Sequence, residues 1–128
     1  MADHAHGVAG HVALHQRSSD AVMAVASKAR GEPAHRLGVV ARLLVDPGFR
    51  GRGIGRALLT VAAGEAFGRG LWPVLDVSVR FCAAIQLYES CGWVCAGRVT
   101  ARFPDGNELE EFVYIAPSGT AVTEAVAR

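Results

Sequence analysis

Apolar residues along this chain recur with two periods, and the switches between the periods mark out its elements. From Val8 to His15 the period is two: Val12 and Leu14 share one face and His11, Ala13 and His15 the other, which predicts a strand. Gln16 to Ser19 is a polar break. Ser19 is placed to cap a helix, with Asp20 in the first turn, where a negative charge suits the dipole. Val22, Val25, Ala26 and Ala29 then recur at helical spacing. Lys28 and Arg30 sit in the last turn, Gly31 follows, and Pro33 forbids continuation.

Leu37 to Val45 is apolar on both faces apart from Arg42, the pattern of a strand at the centre of a sheet. Asp46-Pro47-Gly48 ends it. A glycine-rich stretch leads into a second helix from about Ile54 to Phe67, with Ile54, Leu58, Val61 and Ala62 as its buried stripe and Arg56, Thr60 and Glu65 outside. Gly68 and Gly70 stop it. Leu71 to Val77 is a further strand, and Pro73 near its start points to an exposed beginning or an irregular edge. Phe81 to Cys91 is a helix with Ala84, Leu87, Tyr88 and Cys91 in one stripe and Gly92 as its stop. Trp93 to Phe103 and Leu109 to Ile115 are strands joined by the turn Pro104-Asp105-Gly106-Asn107. The chain therefore reads as one domain over residues 1–128, with a core over 8–115 and a small polar tail over 116–128.

Composition narrows the picture. The 128 residues are 51% hydrophobic and 20% charged, which suits a packed core. A formal net charge of +1 gives no overall field for nucleic acid or an anionic membrane. No apolar run approaches the length of a membrane span, and the N-terminus lacks the pattern of a signal peptide. Cys82, Cys91 and Cys95 are odd in number and late in the chain, so reduced thiols in a cytoplasmic setting are expected and a metal site is not. His11 and His15 project to the same side of their strand, but two strand steps apart, which is far for one ion.

Positive charge gathers instead at Arg50, Arg52 and Arg56, around Gly51, Gly53 and Gly55. Strand, glycine loop and helix start form a common phosphate cradle, because the first N–H groups of a helix are unpaired and point at the anion. A P-loop needs Lys followed by Ser or Thr after its last glycine, and here Arg56-Ala57 follows Gly55. A dinucleotide fingerprint starting at Gly51 needs a third glycine where Arg56 stands.

The remaining pattern is Arg50-x-x-Gly53-x-Gly55, preceded by Leu43-Leu44-Val45-Asp46-Pro47. It resembles the acetyl-coenzyme A loop of the GNAT superfamily of N-acetyltransferases. Ala84-Ile85-Gln86-Leu87-Tyr88-Glu89-Ser90-Cys91-Gly92-Trp93 is similar to the family's later helix and the strand after it, and Val8 to His15 is more weakly similar to its third strand. The resemblance covers residues 8 to about 115. It implies an α/β fold of the α+β type, with a mixed, mostly antiparallel central sheet flanked by helices and splayed where the Leu37–Val45 strand meets the Leu71–Val77 strand. It also implies acetyl-coenzyme A as co-substrate and no metal. The backbone of Leu43, Leu44 and Val45 would pair with the pantetheine arm, and Arg50, Gly51, Arg52, Gly53, Ile54 and Gly55 would hold the pyrophosphate.

The implied reaction is direct transfer of the acetyl group to a primary amine of a small molecule or peptide, with no nucleic acid or membrane partner. Tyr88 is the expected acid for the departing sulfur. Asp76 is the first candidate for the base, with His11 and His15 as rivals; no dedicated base is the remaining option. Glu65 and Glu89 are expected on outer, solvated faces. The pattern is broken in two places. Many relatives carry an asparagine where this chain has Phe81, and the family's usual first strand and two helices have no counterpart before Val8. Both breaks leave room for a second reading, a coenzyme A-binding module without catalysis. The short front and an open edge at Val8–His15 also suggest a homodimer.

Overall fold

The computed structural model describes residues 3–4, 7–8, 10–15, 18–45 and 53–118. In chain order the elements are β1 (Asp3–His4), β2 (Gly7–Val8), β3 (Gly10–His15), α1 (Asp20–Arg30), β4 (Leu37–Val45), α2 (Ile54–Gly68), β5 (Trp72–Ser78), α3 (Cys82–Ser90), β6 (Val94–Arg102) and β7 (Glu108–Ile115). β1 and β2 form a small antiparallel pair of their own, which the sequence pattern did not announce; the main strand there starts at Gly10. The other five strands make one sheet in the order β3-β4-β5-β7-β6, parallel only between β4 and β5. The expected α+β architecture is present. No helix among the described residues is long and apolar enough to cross a membrane.

Alternation along the strands builds two cores, one on each face. Leu37, Val39, Val74, Val99 and Val113 face α1, where Val22, Met23 and Ala26 cover them. Val40, Leu75, Val77 and Tyr114 face the other way, against Leu59, Ala62 and Ala63 of α2 and Tyr88 of α3. α1 begins where its sequence predicts: the Val22 amide donates to Ser19 Oγ at 3.3 Å, and Gly31 closes the helix at φ 73°. Gly97 lets α1 lie close on β6, since a Cβ there would stand 3.0 Å from Val25 Cγ1.

Two expectations need correction. Val61 does not belong to the buried stripe of α2; it is 54% exposed, and the buried residues are Leu58, Leu59, Ala62, Ala63 and Ala66. At about 100° per residue these five share one face, and Val61 falls away from it. Pro73 marks neither an edge nor an exposed start. It is fully buried in β5, the central strand. The ladder explains why it is tolerated. The Ala116 amide donates to the Pro73 carbonyl at 3.0 Å, so the two residues form a rung, and the N–H that proline lacks would have bonded the Ala116 carbonyl. The Trp72 indole Nε1 donates to that same carbonyl at 3.0 Å. A side chain next in sequence supplies the missing donor, at the last rung of the β5–β7 pairing.

Candidate active site

The site is set by where β4 and β5 part. Their parallel pairing has three rungs, Leu37–Trp72, Gly38–Pro73 and Val39–Val74, and then stops. β4 continues against β3 as far as Val45, and β5 continues against β7 as far as Ser78. From Val40 onward no strand among the described residues pairs with the β5-facing edge of β4, and Leu43, Leu44 and Val45 lie on this stretch. The divergence starts beside a tight contact. A Cβ on Gly38 would stand 3.3 Å from Ala66 Cβ, Leu14 Cδ1 and Leu71 Cβ, so a side chain there would have to push β4 away from α2 by a few tenths of an ångström.

Past the end of β4, residues 46–52 lie outside the described residues, and with them Arg50, Gly51 and Arg52. The chain re-enters at Gly53, whose φ of 75° suits glycine, and α2 starts at Ile54 with no side chain capping it and no acidic residue in its first turn. Among the described residues no side chain takes up its leading N–H groups, those of Ile54 and Gly55 among them, and such groups suit an anion. Arg56 is not turned to that task alone, because its guanidinium donates to Ser90 Oγ at the end of α3, 2.9 Å away.

Tyr88 and Asp76 lie on opposite faces of the sheet. Tyr88 is 7% exposed, its ring packed on Trp93 and Tyr114 at centroid separations of 6.4 and 6.0 Å. Burial, and secondarily the Asp76 charge, push its phenol above the ordinary value of 10.0. Asp76 is half-buried in β5 on the α1 side, just past the last β4–β5 rung, and accepts a hydrogen bond from Ser18 Oγ at 3.2 Å. Beside it is Glu111 of β7, a diagonal neighbour of Asp76 across the β5–β7 pairing. Burial, and after it the neighbouring Asp76 carboxyl, push Glu111 up to about 7.

Sequence reasoning singled out neither Ser18 nor Glu111. Both reach Asp76 only through tertiary pairing, and the one available signal was an acid in an otherwise half-buried strand. Glu89 is exposed as expected but not merely solvated, since it accepts a 2.9 Å hydrogen bond from the buried Tyr114 hydroxyl. Burial and this carboxylate push the Tyr114 phenol up to about 12. His15 is exposed. The His11 side chain lies outside the described residues. Phe81 is 62% exposed at the start of α3. Cys82, Cys91 and Cys95 are free thiols, and among the described residues no cluster of three metal-ligating side chains occurs.

The acetyltransferase (GNAT) family matches residues 2–93. No curated protein matches the chain. Among solved structures it is similar to NAA60 of Arabidopsis thaliana in complex with acetyl-CoA, at 19% identity and TM-score 0.67 over 88% of this chain and 66% of that one. It is also similar to yncA of Salmonella typhimurium, a protein bound to acetyl-CoA, at 21% identity and TM-score 0.63 over 85% and 57%. A third is a chimera of spermidine N-acetyltransferase SpeG from Vibrio cholerae and hSSAT, at 22% and 0.66 over 94% and 66%. At these identities the likeness is one of fold, and this chain spans between 57% and 66% of the three proteins' lengths.

Proposed function

We propose, for a chain that belongs to the acetyltransferase (GNAT) family, that it transfers the acetyl group of acetyl-coenzyme A to a primary amine of a small molecule or peptide. One observation carries the reading. β4 leaves β5 after Val39, and Asp76 lies on β5 just past that point while Tyr88 is buried on the opposite face, groups of the types a base and an acid require. The unpaired edge of Leu43, Leu44 and Val45 would run along the pantetheine arm as a strand does. The uncapped start of α2, with Arg50, Gly51, Arg52, Gly53, Ile54 and Gly55, would hold the pyrophosphate.

In this reading Asp76 receives a proton from the acceptor's ammonium group. The freed lone pair attacks the thioester carbon, and a C–N bond forms. As the tetrahedral intermediate collapses, the C–S bond breaks with its electron pair on sulfur. Tyr88 protonates the thiolate and recovers a proton from the nitrogen. A phenol can do this because its pKa lies above that of a thiol by only a modest margin, and the proton recovered from the nitrogen offsets the uphill step.

Coenzyme A at about a hundred times its Kd should stabilise the folded protein by about 2.7 kcal/mol, while ATP and NAD should compete weakly or not at all. Absence of any rise in Tm with coenzyme A overturns the proposal. Phe81, exposed where many relatives have asparagine, favours a second reading, a coenzyme A-binding module without catalysis. That module would show the same thermal shift and release no thiol from acetyl-coenzyme A whatever amine is offered.

A further inference from the structure

The pairing of β5 with β7 sets Asp76 opposite Val113 and Ser78 opposite Glu111. Asp76 and Glu111 are therefore diagonal neighbours on the face that α1 covers, within reach of one another. Both are half-buried, and among the described residues no cation pairs with either. Around them stand the Ser18 hydroxyl, bonded to Asp76 Oδ1, then Ser78 of β5 and Val99 of β6, which lies opposite Glu111. α1 presents Val22, Met23 and Ala26 to this face and carries Asp20, exposed, in its first turn. From the far face, Tyr88 feels the Asp76 charge. Two carboxylates held as diagonal neighbours, with no cation among the described residues between them, resist ionising together, and a proton on one of them relieves the repulsion.

We propose that Asp76 and Glu111 work as one base: the doubly ionised pair takes a single proton from the acceptor's ammonium group, holds it between the two carboxyls and passes it to water. The inference rests on the acetyl-transfer reading above. A lone aspartate binds a proton too weakly to draw one efficiently from an ammonium group, whereas two carboxylates forced together bind the first proton more tightly than either does alone. The ledger balances: the ammonium loses one proton to the pair, the free amine attacks, and its second proton ends on the coenzyme A sulfur by way of Tyr88. Glu111 acts through Asp76 and is a positioning residue. The inference also narrows the acceptor to groups that arrive protonated and cationic, which excludes neutral alcohols.

Two measurements test it. The first is a carboxyl carbon-13 NMR titration of the free protein, in which the Asp76–Glu111 pair should take up one proton near pH 7. The second is the pH profile of kcat/KM for thiol release with an amine that supports it. The acid limb should fall near pH 7 in the wild type, move down by about one unit or more in Glu111→Gln, and return in Glu111→Asp, while Asp76→Asn should lose about a hundredfold in rate. An unmoved limb in Glu111→Gln, or no carboxyl titrating near neutrality, overturns the shared base while leaving the transferase reading intact. If Glu111→Gln does not fold, the wild-type titration decides. If no amine elicits thiol release, the transferase reading falls and takes this inference with it.

Discussion

Replacing Trp72 with phenylalanine should expose how a proline is accommodated in the central strand. The indole donates to the Ala116 carbonyl at 3.0 Å, meets Phe67 edge-on at 4.9 Å, and lies beneath the Arg30 guanidinium, 3.7 Å from its ring centroid. Phenylalanine keeps part of the ring packing and loses the donor. The hydrogen bond is worth about 0.5–1.5 kcal/mol and the weakened cation–π contact about 0.5–1 kcal/mol, so the total loss should be about 1–2.5 kcal/mol. At about 4 °C per kcal/mol for a domain of this size, Tm should fall by about 4–10 °C. The sharper test is a double-mutant cycle with Pro73→Ala, read by urea denaturation. In the wild type the new amide at position 73 finds the Ala116 carbonyl already taken, so Pro73→Ala should be neutral or destabilising. In the Trp72→Phe background the same amide supplies the missing donor and should recover about 0.5–1.5 kcal/mol. If Pro73→Ala has the same effect in both backgrounds, the indole does not stand in for the proline's absent N–H.

Tyr88→Phe should lower kcat by about a hundredfold with little change in Tm, because the ring stays packed on Trp93 and Tyr114 while the acid is lost; unchanged turnover removes Tyr88 from the mechanism. Gly38→Val should cost more than about 2 kcal/mol in a denaturant titration, since its first carbon already meets Ala66, Leu14 and Leu71 at 3.3 Å. Glu111 sits at about 7 in the folded protein against an ordinary 4.5, so the folded state binds its proton more tightly than the unfolded chain does. Its contribution is fully present below pH 4.5 and is lost as pH rises through 7. Relative to wild type, Glu111→Gln should therefore gain stability between pH 5 and 8, by about 1 kcal/mol once solvent screening is allowed for.

Local pattern was enough for most of the elements. The cap at Ser19, the stop at Gly31 and the doubly apolar run from Leu37 to Val45 each arise from neighbours within a few residues, and each stands where the sequence placed it. The stripe of α2 misled because Val61 is as apolar as the residues that pack, and apolarity alone does not tell a buried valine from an exposed one. Pro73 misled for a different reason. Its neighbour's indole repairs the ladder, and that repair depends on a carbonyl 44 residues away.

The candidate site divides in the same manner. Tyr88 and Asp76 were visible through a resemblance of sequence motifs. The Asp76–Glu111 contact depends on the register between β5 and β7, and one residue of slip would have turned Glu111 to the opposite face. Ser18 reaches Asp76 across 58 positions of chain.

The central claim is acetyl transfer to an amine, and the most direct test is release of free thiol from acetyl-coenzyme A by the purified protein across a panel of primary amines and peptides. The account predicts amine-dependent release by the wild type that Asp76→Asn reduces about a hundredfold. Coenzyme A binding with no thiol release from any amine in the panel would contradict it.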